Sequence, residues 1–160
     1  MSTAPAIGTP RVPSIIPLVN RLVRRLLDVG LPFGPNVLLT VRGRMSGRPW
    51  TFPVAILEVG ERRFVQSPFG EVNWVRNLRA SGEAVITKGR RREEVVAIEL
   101  APEAASPILQ AAFAPYMASR FGRFFVGRLF PLRAESMPED YLAEARRHTM
   151  FELRAKLAEG

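Results

Sequence analysis

Apolar residues recur three and four apart near the start of the chain, two apart through its middle, and at helical spacing again before a last alternating run. From Pro13 to Asp28, Ile15, Ile16, Leu18, Val19, Leu22, Val23, Leu26 and Leu27 mark one face, while Asn20, Arg21, Arg24 and Arg25 fill the other. That spacing predicts an amphipathic basic helix, ended by Gly30, Pro32, Gly34 and Pro35. Residues 1–12 read as a disordered leader, and 13–160 as a single domain.

Alternation then takes over. Val37 to Pro53 reads as a hairpin: an apolar β-branched run, a turn with Gly43, Ser46 and Gly47, and a second run from Trp50. Its tip presents Arg42, Arg44 and Arg48, a hydroxyl and freed backbone N–H groups, a combination suited to an anion. Thr51–Val59 and Arg62–Ser67 extend the hairpin into an antiparallel meander across the turn at Gly60 and Glu61. Ser67-Pro68-Phe69-Gly70 interrupts the sheet, and Asn73 to Ala80 reads as a short helix ended by Ser81 and Gly82. Ala84–Thr87 and Glu94–Leu100 make two further strands around a basic turn, Lys88 to Arg92.

A helix is expected over Ala101–Ala112, opened by Pro102 and Glu103 and limited by Pro115. In Arg120–Arg133, Phe121, Phe124, Phe125, Val126, Leu129 and Phe130 alternate with four arginines and no acid. The expectation is a helix with its aromatic face on the barrel and its arginines solvated. Met137–Arg147 reads as a polar helix and His148–Leu153 as a strand returning to the sheet. The fold class is mainly β with flanking helices (α+β).

Composition narrows the chemistry. The chain has 160 residues, 47% hydrophobic and 24% charged, which is ordinary for a globular domain. The absence of cysteine excludes disulfides, thiolate metal sites and cysteine nucleophiles, and fits a cytoplasmic setting. The net charge of +8 favours anionic partners: a phosphate-bearing cofactor, nucleic acid or an acidic membrane surface. Nucleic acid ranks last, because the basic residues are scattered and the aromatics are mostly phenylalanines within apolar runs.

The means for acid–base chemistry are few. His148 is the lone histidine and reads as structural; no metal site is expected. Glu93 and Glu94 are adjacent, so on a strand they face opposite ways. No lysine completes a P-loop after the Gly43–Gly47 turn, because Arg48 and Pro49 follow it and lead into a strand. What is left is a protein able to bind a flat, conjugated anion, with phosphate on Arg44, Ser46 and Arg48 and a ring over Gln66 to Phe69 against Trp74. A cofactor would then supply the reactive atom.

Three motifs in order, Gly43-Arg44-Met45-Ser46-Gly47 with Pro53, Ser67-Pro68-Phe69-Gly70, and Asn73-Trp74-Val75-Arg76-Asn77-Leu78, resemble the deazaflavin-dependent nitroreductase family. The resemblance covers about residues 36–100, with a weaker echo at Phe151-Glu152-Leu153. It implies a split β-barrel of the FMN-binding type that takes a hydride from reduced coenzyme F420, with FMN as the alternative cofactor. Carried over, Arg42, Arg44, Ser46, Gly47 and Arg48 line the phosphate site; Ser67, Phe69 and Gly70 flank the ring; Trp74 and Asn77 complete the pocket. Met45 stands where relatives commonly have lysine. The glutamate-bearing tail of the coenzyme would suit the basic turn Lys88–Arg92.

The leading reading is an oxidoreductase that delivers hydride to an electron-poor small molecule, a quinone, enone or nitroaromatic, with Tyr116 or Tyr141 as candidate proton donors. The acceptor pocket is expected between the N-terminal helix and the Phe113–Phe130 region. The alternatives are a non-catalytic split barrel that sequesters a flavin-like or haem-like ligand, and a peripheral protein on anionic membranes through Pro13–Asp28 and Arg120–Arg133. A homodimer is a further candidate assembly.

Overall fold

Val37, Leu39 and Val41 on one strand and Val54 and Ile56 on the next are all buried, and every second residue between them faces the other way. That period of two rolls the sheet around one shared interior. The computed structural model describes residues 36–158. The leader and the amphipathic helix expected over Pro13–Asp28 lie outside the described residues.

The strands are β1 (Asn36–Arg42), β2 (Pro49–Val59), β3 (Arg62–Gln66), β4 (Glu83–Lys88), β5 (Arg91–Glu99) and β6 (Met150–Ala155). They close in the order β1-β2-β3-β6-β5-β4, every pairing antiparallel. This is the split barrel that the motifs imply. The meander β1-β2-β3 is as expected, and closure rests on three long-range pairings. Leu39 of β1 meets Ile86 of β4, and β6 inserts between β3 and β5, with Val65 opposite Phe151.

Two apolar clusters hold the fold. One fills the barrel, where Val37, Leu39, Val54, Ile56, Val65, Ile86, Val95 and Phe151 meet Val75 and Leu78 of α1 (Asn73–Ser81). The helix closes one end of the barrel, and Gly82, at φ 67°, ends it by donating its N–H to the Leu78 carbonyl. The second cluster lies outside the barrel wall. There Phe64 and Met150 pack under α2 (Pro102–Met117), α3 (Arg120–Leu129) and α4 (Pro138–Arg147).

Three expectations are corrected. Helix α2 does not stop before Pro115 but runs on to Met117. Ala111, whose carbonyl the missing N–H would have met, is exposed, so water can take its place. The basic stretch Lys88–Arg92 is largely strand, and only Gly89, at φ 61°, and Arg90 form the turn. Helix α3 packs chiefly on α2, with Val126 reaching the barrel-wall cluster, and its aromatics divide. Phe130, just beyond its end, is buried 5.1 Å from the Phe113 ring, whereas Phe121 and Phe124 are exposed.

Candidate functional site

The β1–β2 loop, residues 43–48, sits at the barrel end closed by α1, and its glycines explain its shape. Gly43 is buried, and a Cβ there would stand 3.0 Å from Trp50 Nε1, 3.1 Å from Ser46 Oγ and 3.2 Å from the Arg48 carbonyl. Gly47 takes φ 70°, which a residue with a Cβ adopts only under strain. The backbone N–H groups expected to be free are mostly spent within the fold. Gly43 donates to the Arg48 carbonyl (2.8 Å), Gly47 to the Gly43 carbonyl (2.9 Å) and Arg48 to Ser46 Oγ (3.2 Å). An anion here would therefore meet guanidinium groups and the Ser46 hydroxyl proton.

Arg44 joins the loop to the helix. Its backbone N–H (3.2 Å) and its Nη1 (2.7 Å) both donate to Oδ1 of Asn77 on α1, a residue buried to 6% exposure. Arg42 and Arg48 stay exposed on either side, as do Ser46 and Met45. Trp74 is half-buried and packs against the barrel cluster. The first and third motifs thus meet through one shared amide oxygen.

The middle motif arrives from β3. Ser67 is fully buried and donates its N–H to the Thr149 carbonyl (3.4 Å), while Phe69 and Gly70 are half-buried beyond it. Its Oγ is one of three buried side-chain atoms without a hydrogen-bond partner among the described residues, with Gln66 Oε1 and His148 Nδ1. A buried polar atom left unpaired carries a desolvation cost that a ligand group would relieve.

A double fork that sequence reasoning missed ties this segment down. Arg79 on α1 binds both oxygens of Glu71 (2.5 and 2.9 Å) and both of Glu99 on β5 (2.8 and 2.9 Å), and Thr149 adds a hydroxyl to Glu71 (3.1 Å). Arg79 and Thr149 hold the Glu71 carboxyl down at about 2, and Arg79 is itself raised by its two carboxylates. No local pattern marks this group, since its partners lie on four separate segments.

The remaining candidates lie elsewhere. Tyr141 is buried among the outer helices, where burial first and Asp140 second raise its hydroxyl above the usual range. Tyr116 is exposed on α2 and lines a cavity at the opposite mouth of the barrel, beside Val37 and Lys88. Neither tyrosine is brought to the Arg44–Asn77 contact. His148 is held by Glu144 (3.1 Å) and lies edge-on to Phe130, between α4 and β6. In the region expected to hold the acceptor, Arg123, Phe130 and Arg133 line a cleft of about 580 Å³ at the end of α3.

A family model described as F420H(2)-dependent quinone reductase matches residues 21–121, more than half of the chain. No curated relative matches the sequence. Among solved structures, one described as a domain-swapped dimer is 18% identical, with 88% of this chain and 100% of that chain covered and a TM-score of 0.52. A putative 5-nitroimidazole antibiotic resistance protein from Bacteroides thetaiotaomicron is 10% identical, covers 84% and 80%, and has a TM-score of 0.53. An F420-H2 dependent reductase is 17% identical, covers 76% and 95%, and has a TM-score of 0.49. At these identities the first two establish a shared fold.

Proposed function

The chain belongs to the F420H(2)-dependent quinone reductase family, and from that premise we propose that the loop end of the barrel holds the coenzyme for hydride delivery to a quinone-type acceptor. The family is one of oxidoreductases, and its coenzyme is F420. When bound, reduced F420 supplies the hydride. The residues fit such a group: guanidiniums around a tight glycine loop suit a phosphate, and the unpartnered Ser67 hydroxyl suits a polar ring edge. The observation that carries the reading is the Arg44–Asn77 contact, which draws the loop and the helix into one site.

In this reading Arg44, Ser46 and Arg48 hold the phosphate with Arg42 at the rim, Gly47 keeps the turn tight, Ser67, Phe69 and Gly70 flank the ring, and Trp74 and Asn77 close the pocket. Enones and nitroaromatics are further acceptors to be tried. The exposed guanidiniums make affinity for the coenzyme fall as salt rises. Stopped-flow reoxidation of the reduced coenzyme by a soluble quinone, in wild type and Arg48→Ala, tests the reading. Expected are turnover in the wild type and roughly tenfold weaker coenzyme binding in the variant; equal binding would refute the phosphate assignment.

Two partners extend the reading. Arg120, Arg123 and Phe124 are exposed together on α3, which supports docking to anionic membrane, and no described helix is long and apolar enough to cross one. Cosedimentation with anionic but not neutral vesicles tests this. A homodimer is supported by the similar fold described as a domain-swapped dimer, and sedimentation velocity tests it.

A further inference from the structure

The two ends of the barrel are sealed differently. Helix α1 covers one with Val75 and Leu78. At the other, the inward positions turn from apolar to charged: Val54 and Ile56 lead to Glu58, Ile86 leads to Lys88, Val65 is preceded by Arg63, and Val95 by Glu93 and Arg91. An ion pair spans this mouth, with Arg63 Nη1 and Nη2 each 2.7 Å from an oxygen of Glu93, two strands away across β6. Above it lies a cavity of about 440 Å³ with Val37, Ile56 and Ile86 as its apolar floor and Ala112, Pro115 and Tyr116 of α2 as its wall.

We infer that this mouth is a second binding site, for an amphipathic monoanion of the medium-chain carboxylate class. The cations decide the sign of the ligand. Arg63 is satisfied by Glu93, whereas Lys88 and Arg91 are exposed, and no side-chain hydrogen bond or ion pair engages their charged ends among the described residues. The charge decides the count. With Glu58 and Glu93 also at the rim, the five groups sum to one positive charge, which suits a single carboxylate and disfavours a dianion. The volume decides the length. At about 30 Å³ for each water-sized group, the cavity takes roughly a dozen or more heavy atoms.

This site is separate from the loop end. Val37 begins β1 and the 43–48 loop follows its last residue, so the length of a strand, about 20 Å, divides them. The inference does not depend on the assignment of the coenzyme residues.

The test is calorimetric titration of the full chain with decanoate below its micellar concentration, against decylammonium, in wild type and the Lys88→Gln/Arg91→Gln double variant. Expected is 1:1 binding of decanoate at least tenfold tighter than decylammonium, weakened tenfold or more in the double variant. Methyl resonances of Ile56 and Ile86 should shift on binding, while saturating reduced F420 leaves the decanoate affinity unchanged. No saturable binding, equal affinity for the two amphiphiles, or an undiminished affinity in the double variant would overturn the inference. So would displacement of decanoate by F420, which would assign the mouth to the tail of the coenzyme.

Discussion

Removing the Asn77 amide should disarm Arg44 without touching it. Asn77 Oδ1 receives two donors from that residue, one from the backbone and one from the guanidinium, and it sits almost wholly buried on a helix anchored by Val75 and Leu78. A hydrogen bond to a charged group is worth about 1.5–3 kcal/mol. Because Arg44 is exposed, the lower half of that range applies, and 1.4 kcal/mol is about tenfold in an equilibrium constant. Asn77→Ala should therefore weaken coenzyme binding about tenfold. The decisive measurement is the double-mutant cycle with Arg44→Ala, read by equilibrium titration at low ionic strength with melting curves to confirm folding. If Asn77 acts by aiming Arg44, its removal costs little once Arg44 is gone, and the two losses fail to add. Additive losses, or a folded Asn77→Ala protein that binds like wild type, would refute the reasoning.

Three further outcomes are expected. Gly43→Ala should cost about 1–3 kcal/mol in chemical denaturation and loosen coenzyme binding, since the added methyl presses on the Arg48 carbonyl and the Trp50 ring. Phe130→Ala should cost about 3–5 kcal/mol, because that ring joins Phe113 and His148 at the centre of the outer cluster. Glu71 and Glu152 are both held down at about 2, chiefly by hydrogen bonds from Arg79 and Arg62 respectively. Their stabilisation is complete above the ordinary carboxylate value near 4.5 and is lost as pH falls toward 2, so Glu152→Gln should flatten the acid limb of a stability–pH curve below about 4.5.

How much of this could be read from the chain follows the range of each interaction. The β1–β2 hairpin, the meander and α1 are local, and alternation with glycine turns locates them to within a few residues. The motifs also named both Arg44 and Asn77. Their contact spans 33 positions and rests on the way α1 lies across β1, which no short window encodes. Arg79 and Glu99 are likewise unremarkable until the fold lays α1 alongside β5. The basic run Lys88–Arg92 is expected to be a turn throughout when it is read as one block. Divided by strand parity, Lys88 and Arg91 belong to the inward row, and that signal was present in the spacing. Pro115 misled because a rule about missing donors does not say whether water can reach the carbonyl left behind.

The strand order has a consequence for synthesis. β6 occupies the place between β3 and β5 but is the last of the six to be made, so while residues before 150 emerge, those two strands carry unpaired edges. Until Phe151 and Leu153 leave the ribosome, Val65 and Val95 lack the strand that joins β3 to β5 and completes their cluster. Arrested chains ending near Arg147 should accordingly be prone to protease cleavage and self-association, and release of a few more residues should cure both at once.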